Sequence, residues 1–515
     1  MTSEWKTPAD LGLPYPAWRT GQDDLIREID TPGIHVLDLP TGVGKSGIAV
    51  GLGELERRRG GIAFIVVGTH ALQDQYERTF GSNPNVLIIK GKDEYDCELH
   101  KATTAANCEF VLLDRNPRNC RFYDVCEYFR LRDLAVSGKF IVVMTYTFYM
   151  GVRSSENWPR PTLVVFDEAH DAAQHATDFV SLDFKYDTFE RFGAGIPMEE
   201  SDVLPCVRRM QFEVKNRLRQ YEWFDVSNTA PETLKKINRL RSMDKKIATF
   251  LAEYDATWIT DLGYDRVTVS PIWATKIAER VLWGNLARVV FMSATIGDPI
   301  EFAFELGLAD YKFVSRPSPF PKEAREVSLI PWAFMSGDGG KAFANNLEAF
   351  VKKFDAALDD LGGIQSGLKV LVHTVSYAQA AMIHGNSKYV FSMILAERED
   401  EKDKLIAEFR RRRDFAILIG PCFGQGIDLP GDECRVNIIA KVPYPDMGDK
   451  KTRARVAERP SWLDHITSIR IVQAAGRGVR SDDDWCITWI VDAQAKSFFN
   501  RARFPEWFRE SVVQK

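Results

Sequence analysis

The chain has 515 residues, 45% hydrophobic and 27% charged. This is ordinary globular usage and excludes a disordered, collagen-like or disulfide-stapled scaffold, and at about 100–200 residues per domain it predicts three or four domains. The net charge of −5 excludes a uniformly basic protein, so a polyanionic partner must be held by local patches.

No apolar run reaches the roughly 18 residues of a membrane span. The opening MTSEWKTPADLG lacks the basic flank and apolar stretch of a signal peptide. Both features predict a cytoplasmic enzyme without a membrane partner.

The first buried-strand pattern is IHVLDL (34–39), and a Gly-rich turn follows it directly in LDLPTGVGKSGIAVGLGEL (37–55). Glycines let the backbone approach a phosphate without a Cβ clash. Backbone amides of the loop and of the following helix N-terminus would then cradle the anion. The predicted cradle is Thr41, Gly42, Gly44, Lys45 and Ser46. Lys45 would neutralise β/γ-phosphates and the Ser46 hydroxyl would bind Mg²⁺. Leu39 replaces the usual first glycine of such a loop.

IAFIVVG (62–68) is the next strand pattern. Then Cys97, Cys108, Cys120 and Cys126 follow at C-x₁₀-C-x₁₁-C-x₅-C, amid the aromatics Tyr95, Phe110, Phe122, Tyr123, Tyr128 and Phe129. In a reducing compartment four clustered thiols predict a metal or cluster site rather than disulfides. The tight C-x₂₋₄-C pairs of structural zinc are missing, but four thiolates suit either zinc or iron–sulfur. Cys206, Cys422, Cys434 and Cys486 are scattered and read as buried thiols.

KFIVVMT (139–145) and LVVFD (163–167) continue the series, and the second runs into LVVFDEAHD (163–171). Asp167 at a strand C-terminus beside the phosphate loop can hold Mg²⁺ through water, and Glu168 can orient and deprotonate an attacking water. Residues 176–262 are polar with helical period, and 208–246 carry eleven Lys/Arg against five Asp/Glu.

ARVVFMS (287–293) ends the first series; KVLVHT (369–374), FAILIG (415–420), VNIIAKV (436–442) and CITWIVD (486–492) form a second. Two series of doubly buried strands with intervening helices predict two parallel α/β sheets. Between the last two strands lies VQAAGRGVRSDDD (472–484), with Gln473, Arg477 and Arg480. An arginine at the γ-phosphate stabilises transition-state charge, so the second domain is expected to complete a nucleotide site between the domains.

PTGVGKS, DEAH, SAT (293–295) and QAAGRGVR, in that order, resemble the motifs of superfamily 2 helicases. The cysteine quartet between the first two, FMSATI followed by SPF (318–320), GPCFGQGIDLPG (420–431), YPAWRTGQ (15–22) and GTHALQDQ (68–75) narrow the resemblance to the XPD and DinG helicases. The family fold implied is two RecA-like P-loop domains with a Cys-rich iron–sulfur insert and a helical Arch-like insert. The expected boundaries are 1–91, 131–175 and 263–297 for the first RecA-like domain, 92–130 for the cluster domain, 176–262 for the Arch-like insert and 298–515 for the second RecA-like domain.

The activity implied is that of an ATP-dependent 5′→3′ DNA helicase, a monomer acting on single-stranded and tailed duplex DNA. The alternative is a DNA-stimulated ATPase that displaces proteins or R-loops without processive unwinding. The implied cofactors are ATP, Mg²⁺ and a [4Fe–4S] cluster on Cys97, Cys108, Cys120 and Cys126. By the same resemblance Arg19 and Gln22 lie near the base and Asp428 belongs to the nucleotide site. Gln473, Arg477 and Arg480 serve catalysis, and Ser293 and Thr295 link hydrolysis to DNA grip. Thr69, Gln73, Thr145, Tyr146, His373 and Thr374 are the implied DNA contacts. Gln425 stands where the family usually has Glu, and Gln494 where an Arg commonly follows the last strand's Asp492.

Overall fold

A computed structural model describes residues 5–221, 230–335, 341–424, 427, 429–476, 478, 479, 481 and 483–514. Among the described residues the strands form three sheets. The first half contributes β1 (Gly33–Asp38), β2 (Ala63–Val67), β3 (Val86–Ile88), β4 (Ile141–Thr145) and β5 (Leu163–Asp167). An inserted antiparallel sheet follows, with β6 (Leu182–Lys185), β7 (Ile259–Leu262) and β8 (Arg266–Ser270) in the order β6-β8-β7. Next come β9 (Arg288–Ser293) and β10 (Lys312–Ser315). The second half holds β11 (Val327–Ala333), β12 (Lys369–His373), β13 (Met393–Leu395), β14 (Ala416–Gly420), β15 (Val436–Ile439), β16 (Ile487–Asp492) and β17 (Val512–Gln514).

The two large sheets are parallel throughout, in the orders β10-β1-β9-β5-β2-β4-β3 and β13-β14-β12-β15-β16-β11-β17. Their central strands are buried along their whole length, as helices on both faces require. These are the two α/β RecA-like domains expected. The first sheet runs further than expected, however. β10 pairs with β1 in parallel, so this sheet reaches Ser315 rather than ending near position 297.

The inserts also have definite form. Residues 92–130 contain short 3₁₀ turns and the small helix Glu109–Leu112. The second insert is mainly the long helices Glu200–Arg219 and Pro231–Glu253, packed over Phe189, Val207, Met210 and Ile247. It is not wholly helical, because β6–β8 complete it and β8 extends past residue 262. Leu112 of the cysteine insert packs with Leu234 and Ile237 of the long helix, and Asp114 pairs with Arg241 at 2.6 Å, so the two inserts touch.

At the lower edge of the first sheet Arg288 is 8% exposed and pairs with both Asp30 and Glu56. Burial would raise the Asp30 carboxyl, but Arg59 and Arg288 outweigh it and hold it below the usual range. A buried pair that loses one partner leaves a bare charge behind. Arg288→Ala should therefore destabilise the protein by about 3–5 kcal/mol in urea unfolding; a loss below about 1 kcal/mol, the level of a surface pair, would show that Arg59 alone satisfies the acids.

Candidate functional site

The phosphate loop leaves β1 and ends at Gly44, the N-cap of the helix Lys45–Arg58. Gly42 and Gly44 have φ of +92° and +86°, a region that side chains disfavour. Gln22 donates its amide to the Gly44 carbonyl at 3.1 Å, and Arg19 donates to the Gly42 carbonyl. These two expected base contacts thus brace the loop from behind. Lys45 Nζ lies 3.4 Å from the Leu39 carbonyl and 3.9 Å from Glu168 Oε1.

Asp167 ends β5 and Glu168 follows it; β5 hydrogen-bonds between β2 and β9, and β9 in turn pairs with the loop-bearing β1. Asp167 is 2% exposed and accepts a hydrogen bond from the Tyr76 hydroxyl at 2.9 Å. Burial, reinforced by the adjacent Glu168 charge, pushes Asp167 up to about 6. Tyr76 is fully buried, and its hydroxyl also faces Ser46. It therefore joins the two residues expected to hold Mg²⁺. No motif marks Tyr76; the only sequence signal is an aromatic directly after GTHALQDQ (68–75).

Glu168 has φ +50°, an uncommon backbone state for a residue with a side chain. Its side chain stays 37% exposed, within reach of solvent water. Burial would raise its carboxyl, but Lys45 and His170 outweigh that and keep it ionised. The Ser293 hydroxyl, at the end of β9, donates to Glu168 Oε2 at 3.2 Å and lies 2.8 Å from His170 Nδ1. Thr295 donates its amide to Ser293 Oγ at 3.1 Å.

The second domain reaches this cluster through the buried helix Ser461–Ala475. Its Gln473 amide meets His170 Nε2. The arginine box and the acidic box are therefore in contact across the domain seam. Arg477, Arg480, Asp428 and Gln425 lie outside the described residues. Gln494 starts the helix Ala495–Arg501, and its amide caps Asp492 at 3.0 Å.

Cys97, Cys108, Cys120 and Cys126 are brought together around one small hollow, with Phe122, Tyr123 and Phe129 in its wall. All four are free thiols, and the His100 amide donates to Cys97 Sγ at 3.4 Å. Burial, reinforced by neighbouring thiols, raises Cys108 and Cys120. Among the described residues no three His, Cys, Asp or Glu side chains gather closely enough to hold a single metal ion. Four free thiols around one hollow are a donor set that a thiolate-bound metal or cluster could use.

The expected DNA contacts divide. Thr69 and Thr145 cap helices at strand ends, accepting from the amides of Leu72 at 3.2 Å and Phe148 at 3.4 Å. His373 and Thr374 line an open cavity of about 370 Å³ in the second domain, with Lys402, Lys441, Arg470 and Gln473. Gln73 is instead fully buried, donating to the Ile89 carbonyl at 2.6 Å. Tyr146 is 1% exposed and stacks on Phe166 and His175. Both face the sheet interior. In the basic stretch 208–246 several cations are already paired locally, as in Arg217–Glu213 and Lys235–Glu232.

His170 carries a pH signature. Burial lowers it, but Asp171 and Glu168 outweigh burial and raise it to about 9. A raised folded-state value gives stability that is complete below the unfolded value of about 6.5 and is lost as pH rises through about 9. The stability gap between wild type and His170→Gln in urea unfolding should be widest on the acid side and close across that window; a gap that widens with pH would refute the assigned charge.

Residues 364–511 match the family model described as the helicase C-terminal domain. A probable ATP-dependent helicase of Methanocaldococcus jannaschii is 23% identical over 255 residues, covering 45% of this chain and 37% of that protein. An ATP-dependent DNA helicase of Candida glabrata is 23% identical over 117 residues, covering 19% of this chain and 14% of that protein. The alignments thus span well under half of these curated relatives. No helix among the described residues is long and apolar enough to cross a membrane. A solved XPD helicase superposes with a TM-score of 0.62 at 16% identity, covering 97% of this chain and 100% of that one, a likeness of fold. The chain thus shares the fold of that XPD helicase, and its residues 364–511 match a helicase C-terminal domain.

Proposed function

We propose that this chain is an ATP-dependent DNA helicase that moves 5′→3′ along single-stranded DNA as a monomer and parts tailed duplexes. The observation that carries the reading is the Gln473–His170 contact, which joins the second domain to a carboxylate already set against the phosphate-loop lysine. A nucleotide bound at the loop would therefore be sensed by both domains.

Lys45 and the loop amides would take the triphosphate, with Ser46 and Asp167 positioned to hold Mg²⁺. When bound, Mg²⁺ neutralises charge on the phosphates. Without nucleotide Lys45 faces Glu168 and weakens it as a base. Phosphates that draw Lys45 away would restore its basicity just when water must be deprotonated. Arg477 and Arg480 would add the cation at the transferred phosphate. Thr69, Thr145, His373 and Thr374, with the cations of the second-domain cavity, offer backbone-directed contacts of the kind a translocase needs. Cys97, Cys108, Cys120 and Cys126 would hold a [4Fe–4S] cluster that staples an insert with little core of its own.

Lys45→Ala should abolish turnover, and Glu168→Gln should lower kcat about 10²–10⁴-fold. Displacement on 5′-tailed but not 3′-tailed duplexes supports the polarity. DNA-stimulated turnover without displacement on either would favour a remodelling ATPase. Unchanged turnover in Glu168→Gln would remove it as the base. Anaerobically purified protein should be brown and contain iron; colourless protein with one zinc per chain would overturn the cluster.

A further inference from the structure

We infer that Phe320, on the segment that joins the two sheets, is a positioning residue that couples the phosphate loop to the second domain. The inference rests on the ATP reading of that loop, but Phe320 itself touches neither nucleotide chemistry nor the carboxylates.

Residues 316–326, RPSPFPKEARE, connect β10 of the first sheet to β11 of the second. Phe320 is 5% exposed, and its ring belongs to a second-domain core with Leu371 of β12, Leu418 of β14, Phe409 and Phe423. The same ring lies on the first domain's phosphate loop. A Cβ at Gly42 would sit 2.5 Å from Phe320 Cζ and 2.9 Å from Pro319 Cγ, closer than atoms can approach. Gly42 is thus required twice, by its backbone angle and by this ring.

The segment is anchored on the second-domain side. The Phe320 carbonyl accepts from Arg325 Nε at 3.1 Å, and Arg325 also pairs with Glu510 and donates to the Trp507 carbonyl. Beside the ring is a small hollow of about 30 Å³, walled by Thr41 from the loop and by Val472, Val479, Trp507 and Phe508 from the second half. The ring is therefore held between the loop on one side and the second-domain core on the other. Packed elements switch between discrete arrangements rather than deforming smoothly. A loop that closes on phosphates must displace the ring, and the ring carries the anchored segment with it. Conversely, a shift of the second domain presses on the loop.

The test compares the full chain with Phe320→Ala, Phe320→Leu and Pro319→Ala. Two quantities are read: ATP turnover with oligo-dT, and amide hydrogen exchange with and without a non-hydrolysable ATP analogue and Mg²⁺. Phe320→Ala should lower DNA-stimulated kcat about tenfold, an ordinary size for coupling between sites, with KM for ATP within about twofold. The larger Leu should restore most of it. The analogue should slow exchange in Lys45–Arg58 in every protein, but in β12 and β14 only where the ring is present. Should Phe320→Ala fail to fold, Phe320→Leu and the exposed Pro319→Ala decide, each with an expected loss of about threefold. Wild-type kcat and an intact β12 response in the variants would overturn the proposal. So would a rise in KM with loss of the Lys45–Arg58 response, which would make the ring a mere prop for the loop. A wild type that binds the analogue but does not hydrolyse ATP would sink the hydrolysis reading alone, since the exchange arm still reads the coupling.

Discussion

A lysine side chain held between a carbonyl and a carboxylate sets the logic of this protein. Lys45 emerges from a loop whose glycines hold backbone angles open only to glycine, and it points at the Leu39 carbonyl and Glu168. That arrangement is electrostatically complete enough to fold and incomplete enough to accept a polyanion. Both carboxylates at the end of β5 feel the lysine's charge. Burial and the adjacent Glu168 push the Asp167 carboxyl up, while Lys45 and His170 keep Glu168, one residue on, ionised. Two adjacent acids are thereby driven apart in strength, a pattern that clusters at functional sites.

From this centre the contacts run outward in two directions. Through Ser293, His170 and Gln473 the acidic box meets the helix Ser461–Ala475 of the second domain. Through Gly42 and Phe320 the loop itself meets the second domain's core. Both routes end on the same domain, one polar and one apolar. A rigid-body change at the seam therefore has to be registered at the loop. The inserts join one another by Leu112, Leu234, Ile237 and the Asp114–Arg241 pair, and the second insert also meets the second domain, where Lys450 pairs with Glu200 and Asp261.

Much of this was legible from residue order. Runs such as IAFIVVG and FAILIG announce doubly buried parallel strands, because only a central strand tolerates apolar residues on both faces. Strands Val86–Ile88 and Met393–Leu395 escaped notice because they are three residues long, and Lys312–Ser315 because it is an edge strand whose exposed side chains dilute the pattern. Strand Arg266–Ser270 alternates buried and half-buried positions, a period of two that helical neighbours disguised. Gln73 and Tyr146, candidates for DNA contact by their place in motifs, turn inward instead; a motif places a residue at a strand end but does not choose which way its side chain faces.

The sequence by itself determined the chemistry: a phosphate-binding turn, paired acids, a thiol quartet and two sheets, each written in local spacing or periodicity. Only the tertiary structure decided which groups meet. Tyr76 beside Asp167, Gln473 against His170, four thiols around one hollow and Phe320 on Gly42 join positions from 6 to 303 residues apart. Their meeting depends on strand order and side-chain packing, which are long-range consequences of burying two cores and have no signature in any short window.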